Sequence, residues 1–287
     1  MRVETTLLDA EATRIAASVG IPSKPQILTK LALETSRLEP DFRRIADLIA
    51  SDVGMSAAIV KTANSSLYGL RTRVNSVQQA VNFLGLRTIT HLVTGLALRA
   101  AFSGPNQPTL ERFWDVSARV ALATAHFARR LPGMDRDEAY TYGLFQDCGI
   151  AVLLGRFPNY KQILALANAA ADQKFTDIET EHLGVDHALI GYLLARSWGL
   201  SDNVYEAIRM HHEFAVLDPD SHELGRESTN LIGAALLGER AYQLFAGKAR
   251  GVEWQKAGNY VLDHFGIAAE DCDSVIADIH RAFTEQG

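Results

Sequence analysis

The chain has 287 residues, 47% of them hydrophobic and 22% charged, and 28 Lys and Arg against 34 Asp and Glu leave a formal net charge of −6. These proportions belong to an ordinary globular protein and exclude collagen-like, low-complexity and disordered classes. The acidic balance also argues against a nucleic-acid binder, which needs a surplus of Lys and Arg on one face to follow phosphates. A chain of this length buries roughly 75% of the surface it exposes when unfolded, so it needs no disulfide or structural metal to fold. Cys148 and Cys272 have no metal-type spacing and make no disulfide framework; they read as buried, reduced thiols. Met1 to Ala10 lacks the apolar core of a signal peptide, and no apolar run approaches the ~18–20 residues of a membrane span. A cytoplasmic protein that stays off the membrane is expected.

In chain order, nearly every segment repeats its apolar residues with helical period, and almost none alternates with period two. Phe42, Ile45, Leu48, Ile49 and Val53 form one stripe. Ser76 with Gln79 fits a capping box that starts the next helix, whose stripe is Ile89, Leu92, Val93, Leu96 and Ala100. Ser103-Gly104-Pro105-Asn106-Gln107-Pro108 then reads as a linker, dividing residues 1–104 from 105–287. Phe113, Val116, Val120, Ala123, Phe127 and Leu131 make a third stripe, stopped at Leu131-Pro132-Gly133. One helix is expected across Gly143 to Leu154, with Gly143 and Gly149 permitting close packing. Thr176 with Glu179 fits a second capping box, and Gly199 stands where the helix begun at His187 should stop. Asp218 to Ser228 reads as a loop. Amphipathic helices follow, carrying Leu231, Leu237, Ala241 and Leu244, then Trp254, Val261, Phe265, Val275, Ile276, Ile279 and Phe283. The fold class expected is all-α.

Helical spacing turns Asp147 inward beside Ile150, Ala151 and Leu154. It also places His187 on the face of Ile190, Leu194 and Trp198, and His211 on that of Val204 and Ile208, whereas His212 is rotated off the stripe. A buried carboxylate needs a partner, because leaving it alone costs several kcal/mol. The residues by themselves leave two readings open, hydrogen-bonded core histidines or pieces of a helical metal site. Ser65 and Ser66 have no visible His–Asp arrangement to activate them. The Asn64–Gly69 stretch reads as a helix end and turn, with Tyr68 reaching toward the C-terminal half.

A longer pattern runs through these positions. It comprises Ile21-Pro22-Ser23-Lys24-Pro25, Ile45 to Asp52, Ala63-Asn64-Ser65-Ser66-Leu67-Tyr68-Gly69, Ser76 to Val81, and Leu84-Gly85. Gly143-Leu144-Phe145-Gln146-Asp147-Cys148-Gly149, Asp186-His187-Ala188, Gly191, Trp198, Ala207-Ile208 and His211-His212 continue it. Across residues 20–215 the chain resembles the HDOD domain, an output domain of bacterial signalling proteins related to the HD metal-dependent phosphohydrolases. The resemblance implies a two-lobed helical fold. Active HD relatives hold their metal with a His, a His-Asp pair and a later Asp. At the matching positions this chain has Val116, Gln146, Asp147 and Ala235, with His187 and His211 or His212 at the auxiliary ones. Val116 and Ala235 offer no lone pair and Gln146 only a neutral amide oxygen, whereas such ions want several nitrogen, sulfur or carboxylate donors. A degenerate site filled with packing is therefore expected, without catalysis, metal or cofactor. Asp147, His187 and His211 are the one remnant that could hold an ion.

The function implied is a non-catalytic regulator that binds another signalling protein, with a nucleotide second messenger as the further candidate partner. Asn64, Tyr68, Arg71 and Arg73 are the expected interaction surface. A rival reading is a metal-dependent phosphohydrolase or phosphodiesterase using Asp147, His187, His211 and His212. A third is a small-molecule sensor in the degenerate pocket.

Overall fold

The computed structural model describes residues 14–284 apart from 16, 66, 103–109, 132 and 248–250, with side chains described as far as residue 278. The described elements are α1 (Gln26–Thr35), α2 (Phe42–Ala50), α3 (Val53–Ala63), α4 (Val77–Ala101), α5 (Leu110–Ala128), α6 (Arg136–Phe145) and α7 (Cys148–Arg156). They continue with α8 (Tyr160–Ala169), α9 (Phe175–Leu183), α10 (His187–Trp198), α11 (Asp202–Met210), a 3-10 turn at Phe214–Leu217, α12 (Arg226–Phe245), α13 (Val252–Phe265) and α14 (Cys272–Thr284). No strand occurs among the described residues, and the fold is all-α.

Local chemistry sets where these helices begin. Asp41 accepts from the amides of Arg43 and Arg44 at 2.9 and 3.2 Å, and Asp52 accepts from Met55 at 2.9 Å. The second cap splits what the apolar spacing presents as one stripe, because satisfying amides at Asp52 starts a new helix. Ile45 and Ile49 are buried, whereas Val53 is 83% exposed. Ser76 Oγ accepts from Gln79 N at 3.2 Å as expected, and Gln79 Oε1 returns to the amide of Asn75, one residue before the usual position. Gly199 closes α10 with φ 77°. The loop after the 3-10 turn ends at Gly225, three residues earlier than its composition suggests, since Arg226 to Ser228 already belong to α12.

Among the described residues, α4 is the one helix long and apolar enough by composition to cross a membrane. Half of its most apolar window is buried inside the protein, and Gly85 at φ 79° interrupts its helical ladder. It is a core helix. Helices α1 to α3 pack on it, and its other side meets α6. There Thr88 donates to Asp137 at 2.6 Å and His91 Nδ1 bonds Thr141 at 2.6 Å. Helix α5 packs on α6, α12 and α14, and α10 on α7 and α11. The expected linker, Ser103 to Pro108, lies outside the described residues, as do Met1 to Ala10, Ser66 and Pro132.

Two members of the expected interaction surface are used internally. Asn64 Nδ2 donates to the carbonyls of Val60 and Val74, both at 2.8 Å, while its Oδ1 accepts from Val74 N at 2.9 Å. It is a clamp between the end of α3 and the segment entering α4. The guanidinium of Arg136 lies over the Tyr68 ring at 4.8 Å, so Tyr68 does reach the C-terminal half, as a packing contact. Arg71 and Arg73 are exposed. Both cysteines are buried and neither forms a disulfide.

The tightest backbone approach lies between α7 and the start of α10. A Cβ on Gly149 would sit 2.0 Å from the carbonyl oxygen of His187, and one on Gly191 would sit 2.9 Å from Ile208. Only hydrogens separate the two chains there. Gly149→Ala is accordingly expected to destabilise the protein by about 3 kcal/mol in urea unfolding, the upper end for overpacking, because backbone rather than a side-chain tip must give way. Retention of wild-type stability in that variant contradicts the close approach.

Candidate metal centre and cleft

Three breaks in helical structure bring four donors together. Helix α6 ends at Phe145 and α7 begins at Cys148, so the continuous helix expected over Gly143–Leu154 is two helices with Asp147 at their junction. His187 is the first residue of α10, whose N-cap, Asp186, accepts from Leu189 N at 2.7 Å. Helix α11 stops at Met210, and the turn that follows carries His212 back to the side of His211. His212 is therefore in the cluster, not rotated away from it; the spacing argument failed because it continued a helix that had ended.

The four donors face one another closely. Asp147 Oδ1 lies 3.5 Å from His187 Nε2 and 3.6 Å from His211 Nε2. His187 Nε2 is 3.2 Å from His211 Nε2 and 3.1 Å from His212 Nε2. Each ring nitrogen on the far side has an acceptor. His187 Nδ1 meets Glu179 at 2.6 Å, His212 Nδ1 meets Glu253 at 2.7 Å, and His211 Nδ1 meets the carbonyl of Ile208 at 2.7 Å. Glu179 is itself held by the amide of His187 at 2.9 Å and by the hydroxyl of Tyr160.

These outer acceptors fix the tautomers. A proton on each Nδ1 leaves a lone pair on each Nε2, so three lone pairs and a carboxylate converge on one point. Such an arrangement repels itself unless a cation stands at the centre. Donors held tetrahedrally at about 2.1 Å from an ion are about 3.4 Å apart, and the four separations centred on His187 Nε2 and Asp147 Oδ1, 3.1 to 3.6 Å, bracket that value. The residues therefore fit a divalent transition-metal ion with three imidazole nitrogens and one carboxylate oxygen.

Burial and neighbouring charge shape the site. For His187, burial opposes the charged form, but the Glu179 carboxylate outweighs it and raises the pKa. Burial and then the neighbouring His211 push His212 down to about 4. Burial works against the Asp147 carboxylate too, yet the three histidines hold it well below the usual carboxylate range. Glu253 is likewise brought down to about 2 against its burial, by His212 and Lys256. Glu239 goes the other way, up to about 8, through burial and the Asp147 charge.

The positions singled out by resemblance fall differently from expectation. Val116 is half-buried and lines a cleft; the core face of α5 runs instead through Trp114, Ser117 and Val120. Gln146 is buried and donates to Glu239 and, at 3.4 Å, to Asp147 Oδ2. Ala235 is buried within the bundle and does not line the cleft. The residues of α12 that do are Ile232, Leu236, Glu239, Tyr242 and Gln243, the first three spaced at i, i+4 and i+7. An acid on that apolar stripe was the available signal for Glu239. Glu179 was hidden by its fit to a capping box. Lys174, not a Thr176 cap, precedes α9, and Glu179 is fully buried on the His187 side. Nor is the site filled by packing. A cleft of about 300 Å³ opens onto Asp147, whose side chain is 31% exposed. The hydroxyl of Tyr142, which lines it, is buried with no hydrogen-bond partner among the described residues.

A model of the HDOD domain matches residues 21–214, two-thirds of the chain. An uncharacterized protein of Treponema pallidum is 28% identical over 218 residues, which are 71% of this chain and 41% of that protein. The chain thus spans less than half the length of that curated relative. A solved structure from Shewanella amazonensis, provisionally named a phosphohydrolase, superposes with a TM-score of 0.69 at 20% identity, covering 95% of this chain and 96% of the other. An HDOD domain protein of unknown function from Geobacter sulfurreducens superposes with a TM-score of 0.66 at 22% identity, covering 99% and 96%. At these identities the likenesses establish the fold.

The depressed pKa of His212 carries a sign. Between pH 6.5 and about 4 the unfolded chain binds the proton that the native histidine refuses, so stability falls as pH is lowered through that window. His187 acts in the opposite sense: its contribution is complete below its unfolded value and is lost as pH rises through the native one. Chelator-treated protein is expected to lose melting temperature steadily from pH 6.5 down to about 4. His212→Gln is expected to flatten that slope; an unchanged slope contradicts the assignment.

Proposed function

We propose that this chain, which belongs to the HDOD domain family, is a non-catalytic regulatory module of bacterial signalling that acts by binding. We assign one divalent transition-metal ion to Asp147, His187, His211 and His212. The observation that carries this reading is the lining of the cleft. Asp147, Glu239 and Glu253 face it, and no Lys or Arg is among the described residues that line it. A phosphoryl group entering there meets carboxylates, with no guanidinium or ammonium to take up the charge that develops during transfer. The same lining disfavours a nucleotide second messenger in this cleft.

Four protein donors, all within 4.8 Å of one another, are enough for a complete four-coordinate sphere, as in structural sites, whereas catalytic sites keep one position for water. The ion's chemistry here is charge neutralisation of converging lone pairs. The residues do the rest. Glu179, Glu253 and the Ile208 carbonyl orient the three imidazoles. Gln146 bridges Glu239 and Asp147, so the α6–α7 junction, the start of α10 and the end of α11 are tied to α12 at one place. The partner is another signalling protein, met in the cytoplasm, and occupancy of the cleft is read out through this junction.

The reading is tested by metal analysis of protein purified without chelators, alongside hydrolysis assays on model phosphodiesters. Near-stoichiometric Zn, Fe or Mn is expected, lost in His187→Ala, with no turnover above background. Phosphodiesterase activity that requires Mn or Fe and vanishes in Asp147→Ala would establish the hydrolase reading instead.

A further inference from the structure

We infer that the cleft beside the His–Asp cluster receives a small organic ammonium ion with an apolar body. The inference rests on the reading of this cleft as a site that binds and does not catalyse, and it names the class of ligand. Two independent features point to it: the polarity of the cleft and an unmet hydroxyl.

The walls are of two kinds. Phe113, Val116, Leu164, Ile232 and Leu236 give an apolar side suited to a hydrocarbon or aromatic body. The polar lining includes Tyr142, Asp147 and Glu239. Tyr142 is fully buried and its hydroxyl has no partner among the described residues, which is costly for a group that both donates and accepts. Among the described residues Asp147 Oδ2 accepts from Gln146 Nε2 at 3.4 Å, a long bond, and Glu239 receives the same amide group. A primary ammonium has three N–H donors and no acceptor. Glu239, Asp147 Oδ2 and the Tyr142 oxygen are acceptors for those three donors, and the Tyr142 proton is then free to turn to a carboxylate.

The charges along the lining point the same way. No Lys or Arg is among the described residues that line the cleft, so an anion of the same shape finds no partner there, whereas an ammonium meets Asp147 and Glu239. Glu239, pushed up to about 8 by burial and the Asp147 charge, gives up its proton as the ammonium takes that proton's place. The cleft volume of about 300 Å³ is at the small end for ligand sites, which fits an arylalkyl or short alkyl amine and excludes a large polyamine conjugate.

The test is titration calorimetry on the metal-replete full chain with 2-phenylethylammonium and n-hexylammonium. The controls are 3-phenylpropanoate as the charge-reversed isostere, 2-phenylethanol as the neutral one, and adenosine monophosphate. Both ammonium ions are expected to bind at least about tenfold more tightly than the alcohol, the usual worth of a charge-assisted hydrogen bond. Neither anion should bind measurably. Glu239→Gln should lose about tenfold in ammonium affinity, and Tyr142→Phe several-fold. Leu236→Trp, which fills the apolar side and leaves every polar group in place, should abolish binding of n-hexylammonium; it also serves if Glu239→Gln fails to fold. Equal or tighter binding of either anion overturns the inference, as does ammonium affinity unchanged in both Glu239→Gln and Leu236→Trp, or no heat from either ammonium ion. Metal content and phosphodiester turnover measured on the same preparations keep the two ideas apart. A protein without metal, or one with turnover, sinks the earlier reading. A metal-loaded, inactive protein that binds neither ammonium ion sinks only this one.

Discussion

The convergence of three imidazole lone pairs on one aspartate is the constraint on which the rest of the C-terminal architecture depends. Each Nε2 is committed to the centre because each Nδ1 is committed outward, to Glu179, Glu253 and the Ile208 carbonyl. A proton or a metal ion can satisfy the centre, but three protons would place positive charges 3.1–3.2 Å apart. The outward bonds are therefore as informative as the inward ones. They make the cluster a set of preorganised ligands and not a chance meeting of polar side chains in a core.

Positioning these groups demands close packing at a few glycines and abrupt helix ends. Gly149 and Gly191 let α7 and α10 approach until backbone meets backbone, which sets the start of α10 against the α6–α7 junction. The end of α11 at Met210 then decides that His211 and His212 share a site. Helix α12 contributes the opposite wall, where Ile232 and Leu236 are apolar and Glu239 is not. What results is a cleft whose lining mixes acidic and apolar side chains beside a cluster that wants a cation. The N-terminal helices contribute differently. Through Thr88–Asp137, His91–Thr141 and Tyr68–Arg136 they are fastened to α6, the helix that leads directly to Asp147. Trp198, at the end of α10, donates to the Pro22 carbonyl at 3.0 Å and so ties the other end of the site to the same half.

This arrangement separates two meanings of a degenerate site. Val116, Gln146 and Ala235 stand where HD-type ligands are expected by resemblance, and none of them can serve as a strong metal donor. Their loss does not empty the region. Asp147 keeps three histidines, and the vacated side of the cleft exposes an apolar wall and unmet acceptors.

The sequence by itself determined what depends on neighbours along the chain. Helical periodicity established an all-α fold, the Ser76 cap and Gly199 stop follow from short-range hydrogen bonding and backbone freedom, and the inward face of His187 follows from the 3.6-residue repeat. Only the tertiary structure decided what depends on where helices stop and on which helices meet. His212 joined the cluster because α11 ended at Met210, Glu179 proved to be the partner of His187 and not a cap, and Glu239, which no sequence pattern had singled out, lines the cleft. The physical reason is range. Periodicity and capping act over a few residues, whereas several of the contacts that define this site join positions 24 to 93 residues apart, His187–His211 and Gln146–Glu239 among them. No local rule carries that information.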